Sequence, residues 1–405
     1  MHTGPDVYGF PQSCREYLSK ESELILMVYV TGFRCFRCGR LYKPSEIEHL
    51  PIPRCECGSA LDAEYDYRSI KKVILRDEFM RTTPTHWKYW AFMPVKDLSK
   101  CITIGEGATP LLENKKLSKK GRLLIKYEAA NPTGSFKDRG SSLEITKALE
   151  FKKKKVALAS TGNMGASIAA YAAYAGLECK VFIPDIVGKE KITQIKAYGA
   201  ETIAVDGDYS VAMKRAEEYV ISNTDSFLTG DYPWRSEGTK TVGFEIADQL
   251  YWHVPDYIVV PIGNGTLIYS IYEAFRELSL VGITGKIPRI IGVQVENCSP
   301  VADAWENNLN EIIPVRNPKT IATAIACGDP IDGLAALKAI RDSGGFAVKI
   351  TDNDALLARN SLSRNGIFVE PSGAVAYAGY IKNNLEGTVV CIATGHGLKD
   401  MYGLA

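Results

Sequence analysis

From residue 156 onward the chain alternates short apolar runs with amphipathic segments, and this rhythm limits the fold more than any other feature. Residues 156–160 (VALAS) read as a strand, 166–176 as a helix, 179–184 as a strand, 189–199 as a helix and 201–206 as a strand, followed by an amphipathic stretch at 209–221. The pattern resumes with strands at 257–262 and 289–295 around a helix at 267–278. Apolar strands separated by helices of this length build parallel sheets covered by helices. In such sheets ligands gather at the carboxyl ends of the strands, so the strand-to-helix turns are where chemistry is sought.

With 405 residues, 46% of them apolar, the chain has material for more than one core, and two domains with a small appendage are expected. Its 48 basic and 47 acidic residues leave a formal charge of +1, which gives no electrostatic reason for a polyanionic partner and favours a small-molecule substrate over nucleic acid. No apolar run approaches the roughly 18 residues that span a bilayer, so a soluble, cytoplasmic protein without a membrane partner is expected. Met27 stands directly before the strand-like VYVTGF and is read as an alternative start, which makes 1–27 an extension.

Four of the ten cysteines cluster. Cys35 and Cys38 form C-x2-C, and sixteen residues later Cys55 and Cys57 form C-x-C, with Gly39 and Gly58 supplying tight backbone after each pair. This is one residue short of a common structural zinc spacing, and it leaves a zinc ribbon and a metal-free fold with reduced thiols as the two readings. Cys14, Cys101, Cys179, Cys298, Cys327 and Cys391 are scattered and read mostly as small buried hydrophobes.

The segment NPTGSFKDRG, residues 131–140, places Lys137 at the start of a helix after a turn rich in Asn, Pro, Gly and Ser, with Asp138 in the first helical turn. The helix runs to about Phe151, and the lysines at 152–155 suit its negative end, which makes them a solvated terminus rather than a nucleic-acid patch. Phe136 beside Lys137 favours a desolvated, nucleophilic amine. Three strand-to-helix turns complete the picture: STGNM (160–164), PIGNGT (261–266) and IATGHG (392–397). The second lacks the third glycine of a dinucleotide fingerprint and the Gly-Lys-Ser/Thr of a P-loop. A phosphate cradle with a separate lysine, amide and neutral hydroxyl fits pyridoxal phosphate: Lys137 for the aldehyde, the backbone from Gly263 to Thr266 for the phosphate, Asn163 for the phenolic oxygen and Thr394 for the ring nitrogen. His396, beside Thr394, reads equally as a loop-shaping residue.

These pieces, with EGATP (106–110), PWRSEGTKT (233–241), TIATAI (320–325), VEPSGA (369–374) and TGHGLKD (394–400), resemble the threonine synthases among the fold-type II pyridoxal-phosphate enzymes, over residues 35–400. The resemblance implies a tryptophan synthase β-like α/β fold. Its parts would be a cysteine module at 28–66, a larger domain from 67–150 and 240–405, and a smaller, mobile domain at 151–239, in a homodimer. It implies Lys137 as the Schiff-base residue and general base, cofactor contacts from Asn163, Gly263, Asn264, Gly265, Thr266, Leu267 and Thr394, and O-phosphohomoserine as substrate. The substrate phosphate would lie near Ser160, Thr161, Arg235 and Lys240; by itself Arg235 reads as a salt-bridge residue. Three departures from the family pattern stand out. Thr229 and Gly230 replace an Asn-Ser pair, GNGTL replaces GNAGN, with Thr266 offering a hydroxyl, and Met164 and Gly165 replace Thr and Ser. They keep open a serine/threonine dehydratase or an O-phosphoserine-using synthase of the same fold. A third reading, from a different class, is a zinc-ribbon binding protein with a vestigial enzyme body.

Overall fold

The computed structural model describes residues 29–74, 85–160, 162–184, 192–207, 209–230 and 233–401. The expected extension at 1–27, with Cys14 and Met27, and the candidate Thr161 lie outside the described residues. The strands are β1 (Val30–Cys35), β2 (Leu41–Tyr42), β3 (Leu61–Tyr65), β4 (Leu111–Glu113), β5 (Arg122–Tyr127), β6 (Lys155–Ala159), β7 (Glu178–Pro184), β8 (Glu201–Val205), β9 (Ser226–Leu228), β10 (Tyr257–Pro261), β11 (Arg289–Val295), β12 (Phe346–Ile350) and β13 (Thr388–Ala393). They assemble as an antiparallel β2-β1-β3 sheet, a six-stranded sheet in the order β12-β11-β10-β13-β5-β4, and a four-stranded sheet in the order β8-β7-β6-β9.

The four-stranded sheet is parallel throughout, and the six-stranded sheet is parallel except for its edge strand β4. The central strands carry the reason in their sequence. Ile258, Val259 and Val260 of β10, and Val389, Val390, Cys391 and Ile392 of β13, are all fully or nearly fully buried, as strands covered on both faces must be. The helix expected at 189–199 is described as Thr193–Ala197. The aromatic stretch after residue 85 forms a 3-10 helix, His86–Phe92, whose Tyr89 and Phe92 rings pack on Phe244.

The small antiparallel sheet docks on the body through aromatic contacts. Phe33 meets Trp234 edge-on at 5.2 Å between ring centroids, and Phe36 meets Tyr269 at 4.9 Å. Behind these rings lies a buried polar cluster in which Tyr269 donates to Asp62 at 2.7 Å and Tyr65 donates to Glu237. The module therefore braces the Pro233–Thr239 helix, the one that carries Arg235.

Candidate active site

Strands β10, β13 and β5 lie side by side and parallel. Their carboxyl ends run respectively into the Gly263 turn, the Thr394 loop and the turn that ends at Lys137. Neighbouring strands sit about 4.8 Å apart, so the three segments share one edge. They are also tied directly: Phe136 N donates to Thr394 O at 3.1 Å, His396 N donates to Gly134 O at 2.9 Å, and Ser135 and Gly395 form a β-bridge.

Lys137 opens the Lys137–Glu150 helix, with its ammonium 4.7 Å from the centre of the Phe136 ring. Asp138 does more than complement the helix dipole. It is buried and accepts from Thr133 N (2.7 Å), the Thr133 hydroxyl (2.5 Å) and Ser167 Oγ (2.6 Å), and burial raises its carboxyl to about 6 despite those bonds. Arg139 is fully buried between Glu128 (2.8 Å) and Glu245 (2.9 Å). Burial pushes Glu245 up, but Arg139 and Lys126 outweigh it and hold the carboxyl well below its usual range. The lysine's helix is thus anchored from behind by a compensated ionic cluster, and a loss of one partner there would leave buried charge.

From β6, Ser160 leads through Gly162 into the Asn163–Ala175 helix. Ser160 Oγ accepts from Gly165 N at 2.9 Å and so shapes this turn. Asn163 Nδ2 donates to Glu370 Oε1 at 2.8 Å, which joins the second sheet's edge to the Thr394 loop. At the PIGNGT turn Gly265 has φ +105 and starts the Thr266–Leu280 helix, whose first amides have no acceptor within the helix. Asn264 Oδ1 accepts from Ile331 N at 2.8 Å, while among the described residues its buried Nδ2 has no partner, and neither has the buried hydroxyl of Ser135, two residues before Lys137. The Thr266 hydroxyl donates to Asp332 at 2.5 Å, so this turn offers backbone groups to a phosphate rather than the extra hydroxyl expected of Thr266. The Leu267 side chain is buried in the core and leaves only its backbone for the turn.

Two expected substrate residues are placed differently from the expectation. Lys240 is not brought to the strand ends: its ammonium lies between Glu237 (2.7 Å) and Glu277 (2.8 Å), over the Tyr65 ring, on the side facing the cysteine module. Five residues separate it from Arg235, and on a helix this turns the two side chains about 140° apart. Arg235 lies against the Lys137 helix, 1% exposed, donating to Lys137 O (3.3 Å), Gly230 O (2.8 Å), Ser141 Oγ (3.1 Å) and Glu144 (2.5 Å). Gly230 N donates to the other oxygen of Glu144 at 2.6 Å, at a φ of +137 that suits glycine. The Thr229-Gly230 departure is therefore one corner of a Gly230–Glu144–Arg235 triangle.

Glu370, Glu144 and Asp332 escaped the sequence reading. Glu370 carried a signal, an acidic residue before a helix-opening proline within VEPSGA, whereas the partners of Glu144 and Asp332 are far along the chain.

The four cysteine sulfurs, Cys35, Cys38, Cys55 and Cys57, lie within 4.8 Å of one another, with the Cys35–Cys57 and Cys38–Cys55 pairs at 3.5 Å. A zinc ion with four thiolates at about 2.3 Å spaces its sulfurs about 3.8 Å apart, so the set can hold one. The short second pair closes because Gly58, at φ +81, lets its N–H return to Cys55 O at 2.8 Å. Of the module's arginines, Arg34 pairs with Glu64, Arg40 with Glu56 and Arg54 with Glu217.

A lysine at a helix start, an amide, a glycine turn and a neutral hydroxyl thus all lie at strand ends, and the comparisons with known proteins place the chain among the fold-type II pyridoxal-phosphate enzymes. A family model described as pyridoxal-phosphate dependent enzyme matches residues 102–395. The threonine synthases of Methanocaldococcus jannaschii and Methanosarcina acetivorans are each 41% identical, over 91% of this chain and 92% of theirs. That of Synechocystis is 38% identical over 77% of this chain and 82% of its own. Among solved structures, maize serine racemase superimposes with a TM-score of 0.63 at 23% identity, over 71% of this chain and 88% of that one. The processed form of threonine deaminase isoform 2 from Solanum lycopersicum gives 0.61 at 24% identity, over 71% and 83%, and both likenesses speak for the fold. The chain belongs to the pyridoxal-phosphate dependent enzymes and, within them, to the threonine synthases. Among the described residues no helix is long and apolar enough to cross a membrane.

Proposed function

We propose that this chain converts O-phosphohomoserine and water to L-threonine and phosphate, and that the strand-end assembly around Lys137 is where it does so. The observation that carries the proposal is the meeting of Lys137, the Gly263 turn and the Thr394 loop on adjoining strand ends of one sheet, with Asn163 of the other sheet tied to the Thr394 loop through Glu370, in a chain similar to threonine synthases over nine-tenths of its length. Lys137 would hold the cofactor covalently, the backbone from Gly263 to Leu267 its phosphate, Asn163 its phenolic oxygen and Thr394 its ring nitrogen. When bound, the cofactor supplies the electron sink that makes protons on Cα and Cβ of the substrate removable.

The chain's own groups then divide the work. The Lys137 amine takes protons from Cα and Cβ and returns them at Cα and Cγ. Phosphate leaves from Cγ, which gains a proton, and the oxygen of water adds at Cβ, so that the atoms of threonine and phosphate account for those of substrate and water. Thr394 offers a neutral hydroxyl rather than a carboxylate, which limits protonation of the ring and tempers the sink. Ser160, Thr161 and Arg235 are the proposed neighbours of the substrate phosphate. Arg235 meets it already partnered by Glu144, so its pull on an anion is tempered. Lys240, facing the cysteine module, leaves this set.

The test is product analysis on protein loaded with pyridoxal phosphate. Equal amounts of threonine and phosphate from O-phosphohomoserine support the proposal. Formation of 2-oxobutyrate from threonine, with no threonine formed from O-phosphohomoserine, would assign a dehydratase instead. A homodimer in the cytoplasm, with the 151–239 unit moving against the rest, belongs to the same proposal. Sedimentation at micromolar concentration, cell fractionation and scattering with and without substrate check its three parts.

A further inference from the structure

Glu370 precedes the Pro371–Asn383 helix as its N-cap but makes no side-chain capping bond. Its carboxylate, on a residue 3% exposed, accepts from Asn163 Nδ2 at 2.8 Å, across 207 residues of sequence. Its backbone is fixed separately, with Glu370 N donating to Gly395 O at 3.1 Å and Val369 bridging to His396. Any side chain at Gly395 would collide with Glu370 Oε1 and lie 3.2 Å from Asn163 Nδ2, so the glycine after Thr394 makes the room this contact needs. One residue therefore joins the Asn163 turn of the four-stranded sheet to the Thr394 loop of the six-stranded sheet.

We propose that Glu370 is a positioning residue that sets the polarity and aim of Asn163 toward the phenolic oxygen of pyridoxal phosphate. The inference rests on the reading of Lys137, Asn163 and Thr394 as the cofactor's partners. A primary amide can present its oxygen or its NH2 group to a ligand, and the difference is that between repelling and binding a phenolate. Glu370 Oε1 accepts from Asn163 Nδ2 and so holds the NH2 end of the amide toward itself. One N–H goes to Glu370, and the second, about 120° away, is left to meet the cofactor's oxygen.

The experiment compares wild type, Glu370→Ala, Glu370→Gln, Asn163→Ala and the Glu370→Ala/Asn163→Ala double variant. Cofactor affinity is measured by titrating apo-protein with pyridoxal phosphate, and the balance of its long- and short-wavelength absorption bands is read against pH. Thermal melting of each apo-protein reports folding, and if Glu370→Ala does not fold, Glu370→Gln carries the test. Glu370→Ala is expected to weaken cofactor binding about tenfold and to move the band balance toward the short-wavelength, neutral form; Glu370→Gln, which still offers an accepting oxygen, is expected to lose about threefold. In the Asn163→Ala background the Glu370→Ala change adds less than about twofold, because the two act through one bond. Unchanged affinity and band balance in the Glu370 variants, or multiplicative effects in the double variant, would overturn the proposal. A wild type without the long-wavelength band, or a Lys137→Ala variant that keeps it, would instead overturn the cofactor reading on which it rests.

Discussion

Replacing Gly265 with alanine tests the phosphate turn at its tightest point. The residue sits at φ +105 and ψ −18, where an L side chain costs about 1–2 kcal/mol before any contact is counted. Its Cβ would also lie 2.5 Å from the carbonyl oxygen of Asp332 and 2.8 Å from the carbonyl carbon. That backbone cannot move away cheaply. Asp332 N donates to Asn264 O at 3.1 Å, Ile331 N donates to Asn264 Oδ1 at 2.8 Å and the Asp332 carboxylate takes the Thr266 hydroxyl at 2.5 Å. Relief of the clash weakens one or two of these bonds, at about 1 kcal/mol each, for a total of about 2–4 kcal/mol. The strain divides between folding and cofactor binding, so both are measured: urea denaturation of the apo-protein, and the dissociation constant of pyridoxal phosphate. The two losses together are expected to reach about 2–4 kcal/mol, and a loss confined to binding would weaken the cofactor about 30- to 1,000-fold. Gly285→Ala is the control, because its Cβ meets nothing within 4 Å, and it is expected to change both by under about 1 kcal/mol. A Gly265→Ala protein with wild-type stability and cofactor affinity would refute the argument that this turn is held rigid for a ligand.

Two other perturbations follow from buried charge and a third from the cysteine cluster. Burial and the neighbouring carboxylates Glu273 and Glu237 raise Glu277 to about 8 in spite of Lys240, so the folded state holds a proton that the unfolded state gives up near 4.5. The stability this confers is complete below the unfolded value and is lost as pH rises through about 8, at no more than about 1.4 kcal/mol per pH unit for one proton. Melting temperature should therefore fall across that window, and Glu277→Gln should flatten the fall; a parallel decline in the variant would place the titrating group elsewhere. Glu144→Gln leaves Arg235 short of its anion, and an apo-protein about 3–5 kcal/mol less stable is expected. Added inorganic phosphate should raise the melting temperature of that variant more than that of wild type, and an equal rise in both would separate Arg235 from the anion site. Protein purified without chelator should contain one zinc per chain, released together with a drop in melting temperature when a strong chelator is added. Metal analysis that finds none would leave the cysteines as a metal-free cluster.

What the sequence reveals and what it conceals in this chain have one physical origin. Strand alternation and turn chemistry are local, so β6, β7 and β8, the helix at Tyr209–Ser222 and the three strand-end turns are legible from their own residues. The adjacency of the Gly263 turn and the Thr394 loop is also inferable, because parallel strands of one sheet bring their carboxyl ends to one edge. The choice of partner for a buried charge is different. Lys240 and Arg235 both read as cations on one segment, yet their five-residue separation sends one to the module-facing carboxylates Glu237 and Glu277 and the other to Glu144 on the Lys137 helix. Helical spacing turns the two apart, and Glu237 is local to Lys240, whereas Glu144 and Glu277 are partners 91 and 37 residues away. Glu370 makes the same point from the acidic side. It sits at a helix N-cap, and its partner Asn163, 207 residues away, is brought to it by the docking of the two sheets. The residues hardest to read are thus those whose charge is settled by packing between the sheets.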